Sequence, residues 1–135
     1  MISLPAELGA VVLHIEDNPS NRKVVQHILR RTSYRLIEAE DGETGLDLAR
    51  AQKPDVILLD MQLPGMSGYD VAKALKADTR TQGIPVVAVT ASALAGDDDR
   101  VFDAGCDDYL AKPFRPHDLR ERLAAHLPDG TCSSA

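Results

Sequence analysis

The sequence predicts an α/β protein, a doubly wound five-stranded parallel sheet of (βα)5 order. Three observations carry this. Apolar runs at Val11–Ile15, broken only by His14, and at Val56–Leu59 and Val86–Val89 read as strands buried on both faces, because a sheet with one wet face alternates apolar and polar residues. Turn residues follow these runs, and then apolar positions recur three and four apart, the period of an amphipathic helix. Five such units are too few for a closed eight-fold barrel, so the sheet stays open, with right-handed crossovers laying helices on each side.

Element by element, Val11–Ile15 is the first strand. Asn18 before Pro19 fits a helix N-cap with proline at the first helical position, and Val24, Val25, Ile28 and Leu29 form the inward stripe of the first helix. Leu36–Ala39 alternates, interrupted by Glu38, and reads as an edge strand. Asp41-Gly42 opens a second helix with Leu46 and Ala49 inward. Val56–Leu59 is a central strand, and Ser67 caps a third helix built on Val71, Ala72 and Leu75. Val86–Val89 is the next central strand. A fourth helix is expected from near Leu94, with Asp97, Asp98 and Asp99 in its first turn, where negative charge is favoured, followed by Val101 and Phe102. Tyr109–Ala111 is the second edge strand. The last helix starts at Pro116, carries Leu119, Leu123 and Leu127 four apart, and stops at Pro128 and Asp129-Gly130. Residues 10–127 thus read as one domain, with 1–9 and 128–135 as flexible tails.

The chain has 135 residues, 44% hydrophobic and 27% charged, ordinary for a single soluble domain and too short for a multidomain enzyme. A formal net charge of −6 argues against capture of nucleic acid or an anionic membrane. Two cysteines, Cys106 and Cys132, and no signal core give the expectation of a cytoplasmic protein with reduced thiols. No Cys-x-x-Cys, His-Glu-x-x-His or Gly-x-x-x-x-Gly-Lys sequence occurs, so zinc and P-loop chemistry lack their ligands. His14 falls inside a buried strand and is expected to be a hydrogen-bonded core residue, Cys106 a small core filler. His27, His117 and His126 show no ligand spacing.

Function is signalled by position. Glu16-Asp17, Asp60, Thr90 and Lys112 each stand at the carboxyl end of a different expected strand, the edge on which open α/β sheets build their sites. Two carboxylates about 4 Å apart repel by about 4 kcal/mol at an effective dielectric of about 20, and one lysine cannot neutralise three. A bound divalent cation resolves this, and oxygen-only donors with room for water describe Mg2+. Asp60, followed by the extended Met61-Gln62-Leu63-Pro64-Gly65, is the carboxylate whose oxygen could face solvent and attack phosphorus. Taken singly, Thr90 is a good strand former and Lys112 an ordinary surface charge; four complementary strand ends together point to phosphoryl transfer.

Residues 10–127 resemble the receiver domain of two-component response regulators, the CheY-like fold. The resemblance rests on Ile15-Glu16-Asp17-Asn18, Asp60-Met61-Gln62-Leu63-Pro64-Gly65-Met66-Ser67-Gly68, Val89-Thr90-Ala91, Ala104-Gly105-Cys106-Asp107-Asp108-Tyr109 and Lys112-Pro113-Phe114, in that order. It implies the flavodoxin/CheY-like strand order 2-1-3-4-5. It also implies that Asp60 accepts phosphate from a phosphohistidine on a sensor histidine kinase or histidine phosphotransfer protein. Glu16, Asp17 and Asp60 would hold Mg2+, or Mn2+ in its place, with the backbone carbonyl of Gln62, while Thr90, Ala91 and Lys112 contact the phosphoryl group. Lys112-Pro113 is expected to be a cis peptide. Tyr109 matches the switch aromatic, which would follow Thr90 and repack the face of the fourth helix, fifth strand and fifth helix. Gln62 and Ser92 would flank the path of the water that removes the phosphate.

The implied protein is no turnover enzyme; it assists its own phosphorylation and dephosphorylation and signals to a protein effector in trans or to an output domain. Two readings compete. Phosphohydrolases of the haloacid-dehalogenase-like class use an aspartyl phosphate but place a second acid two residues after the nucleophile, where this chain has Gln62. A docking domain indifferent to phosphate would not need the full acidic set.

Overall fold

The computed structural model describes residues 10–63, 65–90, 97–112 and 114–127, with only the backbone at 97–99. Five strands, β1 (Val11–Ile15), β2 (Arg35–Ala39), β3 (Val56–Asp60), β4 (Val86–Thr90) and β5 (Asp108–Ala111), alternate with five helices. These are α1 (Pro19–Leu29), α2 (Gly42–Gln52), α3 (Gly68–Ala77), α4 (Asp97–Asp103) and α5 (Pro116–His126). All pairings are parallel and the sheet order is β2-β1-β3-β4-β5, as expected.

The unbroken apolar runs have the expected cause. Every residue of β3 and β4 is buried, whereas β2 at the edge runs from exposed Arg35 to buried Ala39. One side of the sheet, with Leu13, Ile15, Ile57, Leu59, Val86 and Ala88, packs on Leu46, Val71, Leu75 and Val101 of α2, α3 and α4. The other side, with Val12, Val56, Leu58, Val87, Val89 and Leu110, packs on Val25, Ile28, Leu29, Leu119 and Leu123 of α1 and α5. Cys106 fills the first of these cores; burial pushes its thiol up to about 12, so it is inert at neutral pH.

Polar side chains start the helices where the sequence places them. Asn18 Oδ1 accepts from the amides of Ser20 at 2.8 Å and Asn21 at 3.3 Å, Asp41 Oδ1 from Thr44 at 2.7 Å, and Ser67 Oγ from Asp70 at 3.2 Å. The Asp97–Asp99 side chains and any turn of α4 before Asp97 lie outside the described residues. Among the described residues no helix is long and apolar enough to cross a membrane.

Asp107 anchors the start of β4. Its Oδ2 accepts from the Val86 amide at 2.8 Å and from Lys76 Nζ at 3.0 Å, and Lys76 also donates to the Ile84 carbonyl at 2.9 Å. Asp107→Ala leaves the amide of wholly buried Val86 without its acceptor, which predicts a loss of about 2 kcal/mol in urea unfolding.

Candidate functional site

The sheet changes direction at β1: β2 lies on one side of it and β3 on the other. That reversal opens a crevice outside the carboxyl ends of β1 and β3, where open α/β sheets take ligands. Glu16 and Asp17 leave β1 directly into it, and Asp60 is the last residue of β3. The ladders fix the levels. Ile15 stands opposite Leu59, Asp60 opposite Val89 and Thr90 opposite Ala111, and the Lys112 amide donates to the Thr90 carbonyl at 2.8 Å.

Strand alternation decides which side chains meet. Glu16, Asp60 and Lys112 follow, at steps of two, Val12, Leu58 and Leu110, which pack toward α1 and α5. One carboxylate oxygen from each of Glu16, Asp17 and Asp60 lies within 4.8 Å of the others. Lys112 Nζ sits 3.4 Å from Glu16 Oε1 and 3.8 Å from Asp60 Oδ1. Glu16 is 1% exposed and Asp60 4%, so Asp60 is the floor of the crevice rather than a solvent-facing group, and Asp17 is the open wall.

Thr90 belongs to the other set. It follows Val86 and Ala88, which pack toward α2, α3 and α4, and Tyr109, opposite Ala88, packs against that same core. The Tyr109 ring meets Phe102 of α4 edge-on, with centroids 6.1 Å apart and planes at 81°. Glu16, Asp60 and Lys112 therefore occupy one side of the sheet edge, and the Thr90–Tyr109 pair the other. Ala91, Ser92, Pro113 and the Lys112-Pro113 peptide bond lie outside the described residues.

Burial pushes the Asp60 carboxyl up to about 7; the Gln62 amide, donating to Asp60 Oδ1 at 3.0 Å, opposes this, and the neighbouring Glu16 adds to it. Glu16 is held below its ordinary value: burial works against this, but hydrogen bonds from Asp60 and the Asn18 amide, with the Lys112 charge, outweigh it. The two shifts run in opposite directions because the pair shares one hydrogen bond. Two buried carboxyls and one exposed carboxylate, all hard oxygen donors with an open side for water, fit Mg2+ and equally Mn2+.

No motif of the sequence singles out Arg22. Its Nη1 donates to the carbonyls of Glu16 at 2.9 Å and Asp17 at 3.1 Å, tying the backbone of the acidic pair to α1. The only available signal was a long donor side chain early in the helix that follows the pair. His14 departs from expectation in the opposite sense: it is buried, 2% exposed, yet Nδ1 has no hydrogen-bond partner among the described residues, and burial pushes its imidazole down to about 4.

Comparison with known proteins agrees with this geometry. Residues 12–124 match the response regulator receiver domain family. The polar-differentiation response regulator DivK of Brucella anthropi is 41% identical over 118 residues, 87% of this chain and 96% of that protein. Among solved structures, the receiver domain of a sensor histidine kinase from Pseudomonas aeruginosa PAO1, with a magnesium ion coordinated in its active-site cleft, is 37% identical. Its TM-score is 0.82, covering 87% of this chain and 97% of that one. The chemotaxis protein CheY4 of Vibrio cholerae, 29% identical, superposes with a TM-score of 0.83 over 88% of this chain and 99% of that one. With family, relatives and architecture in agreement, the chain belongs to the response regulator receiver domains, the phosphoacceptor modules of two-component signalling.

Proposed function

We propose that Asp60 is the phosphoacceptor and that the chain is a Mg2+-dependent switch charged from a phosphohistidine on a sensor histidine kinase or histidine phosphotransfer protein in the cytoplasm. The observation that carries this is the meeting of three carboxylate oxygens within 4.8 Å beside a single lysine. Glu16, Asp17, Asp60 and the Gln62 carbonyl would hold the ion; Mn2+ offers the same chemistry. When bound, Mg2+ supplies positive charge for the carboxylates and the incoming phosphoryl oxygens.

The chain's own residues do the rest. An Asp60 oxygen, deprotonated, attacks phosphorus; the P–N bond breaks, and its electron pair returns to the donor imidazole, which takes up a proton. Lys112 pairs with a phosphoryl oxygen, and Thr90 with the Ala91 amide binds another. Thr90 stands on the side of the sheet that holds Tyr109, so its movement toward the phosphoryl group opens space for that ring and repacks the face of α4, β5 and α5. A protein effector in trans, or an output domain, reads that face. Turnover of outside substrates is not part of this role, and Gln62 supplies no second acid for it.

The test is incubation with acetyl phosphate and Mg2+. A mass gain of one phosphoryl group, mapped to Asp60 and lost in EDTA, supports the reading; turnover of a phosphomonoester at many equivalents per chain, without stable charging, overturns it in favour of a hydrolase. A second expectation separates Lys112 from the ion. Lys112→Met slows charging by about a hundredfold, since it removes an oxyanion partner. The same change tightens Mg2+ binding, since it removes a cation 3.4 Å from Glu16, as titration of the uncharged protein would read.

A further inference from the structure

The turn from β1 into α1 carries two carboxylates that are held in very different ways. Glu16 is buried; its Oε1 faces Lys112 Nζ at 3.4 Å and its Oε2 accepts from the Asn18 amide at 3.2 Å. Asp17 is exposed, and among the described residues nothing donates to its carboxylate. Yet one of its oxygens lies within 4.8 Å of oxygens of Glu16 and Asp60. An exposed side chain without a partner takes its direction from the backbone that carries it.

That backbone is leaving the sheet. The Glu16 amide still donates to the Ala39 carbonyl at 2.9 Å, but no backbone amide among the described residues donates to the carbonyl of Glu16 or of Asp17. Arg22 Nη1 reaches back over the first turn of α1 and donates to both, at 2.9 Å and 3.1 Å. The helix fixes the base of this arm: the Arg22 amide donates to the Asn18 carbonyl at 3.0 Å, and Asn18 Oδ1 caps the Ser20 and Asn21 amides. Hydrogen bonds from a charged donor are the stronger kind. Among the described residues Arg22 makes no ion pair; those of the site go to Lys112. We propose that Arg22 is a positioning residue for the metal site: its grip on the two carbonyls fixes the turn that aims the Asp17 carboxylate at Glu16 and Asp60, and it acts without touching the ion or the phosphoryl group. This deepens the reading of Glu16, Asp17 and Asp60 as Mg2+ ligands and rests on it.

Charge and position predict opposite signs. Deleting a cation near three carboxylates would by charge alone tighten Mg2+ binding, as Lys112→Met is expected to do. Losing an outer partner that orients a ligand weakens metal binding instead, by about ten- to a hundredfold. Calorimetric titration of the uncharged full chain with magnesium chloride is expected to show binding about tenfold weaker in Arg22→Met, and about threefold weaker in Arg22→Lys, which keeps the charge without the reach of the guanidinium. Charging by acetyl phosphate, followed by intact mass over a range of Mg2+, should need about tenfold more Mg2+ for half its maximal rate in Arg22→Met, with the rate at saturating Mg2+ within about twofold of the natural chain. A purely structural arginine would lower the urea midpoint and leave the Mg2+ affinity of the folded chain where it was. Mg2+ binding in Arg22→Met equal to or tighter than that of the natural chain, or a saturating rate lowered by about tenfold or more, would overturn the proposal. If Arg22→Met does not fold, Arg22→Lys decides by the same two measurements. A natural chain that binds no Mg2+ at all would instead remove the metal site itself, and the proposal with it.

Discussion

Asp60→Asn is expected to abolish covalent charging by acetyl phosphate outright, and at the same time to raise the stability of the fold in metal-free buffer by about 1–2 kcal/mol. The first half follows from chemistry: an amide of the same shape has no carboxylate oxygen to attack phosphorus. The second follows from the surroundings. Asp60 is 4% exposed beside buried Glu16, with a third carboxylate oxygen within 4.8 Å, and Lys112 Nζ at 3.8 Å is the one cation in contact with it among the described residues. Full repulsion between two such charges would be about 4 kcal/mol at about 4 Å, but the hydrogen bond between the two carboxyls and the open side at Asp17 reduce it. Added Mg2+ reverses the order, because it stabilises the natural chain by binding its native state more tightly than that of the variant. Urea unfolding with EDTA and with Mg2+, beside intact mass after acetyl phosphate, reads both halves. Charging that persisted in Asp60→Asn would move the acceptor elsewhere.

The opposed effects on charging and stability explain why this site was legible in the sequence. A cluster that works against the fold needs chemically unusual residues at fixed places, and Glu16, Asp17, Asp60 and Lys112 stand at strand ends where plain packing would ask for none of them. The strands were legible for a related reason: β3 and β4 are buried on both sides, so their composition alone reports their place in the sheet. Arg22 and His14 were not legible. Arg22 acts through one nitrogen on two backbone carbonyls, and no side-chain pattern encodes a carbonyl as acceptor. For His14, strand register gives burial but cannot show that Nδ1 is left without a hydrogen-bond partner among the described residues. The division of the site between two sides of the sheet was available from period-two alternation, since Thr90 and Asp60 end their strands at opposite parity relative to the two cores.

Gly68→Ala should produce the largest loss of stability from the smallest change, because of where a single methyl would go. Gly68 is the first residue of α3, and its amide donates to the Met61 carbonyl at 3.3 Å, closing the loop that leaves Asp60. A Cβ there would stand 2.4 Å from Met61 Cα and 2.6 Å from the Asp60 carbonyl oxygen. Neither neighbour is the far end of a flexible side chain, so relief requires the backbone of the loop or the whole helix start to shift. The expected cost is about 3 kcal/mol, the upper end for overpacking a well-filled interior. Displacement of Met61 also disturbs the Gln62 amide that holds Asp60 Oδ1 at 3.0 Å, so Mg2+ affinity should fall about tenfold in the same variant. Gly83→Ala is the control, since nothing lies within 4 Å of the methyl it would add. Urea unfolding and Mg2+ titration of the two variants side by side measure both effects, and equal stability of the two would mean that the close approach of α3 to the phosphoacceptor loop does not constrain this fold.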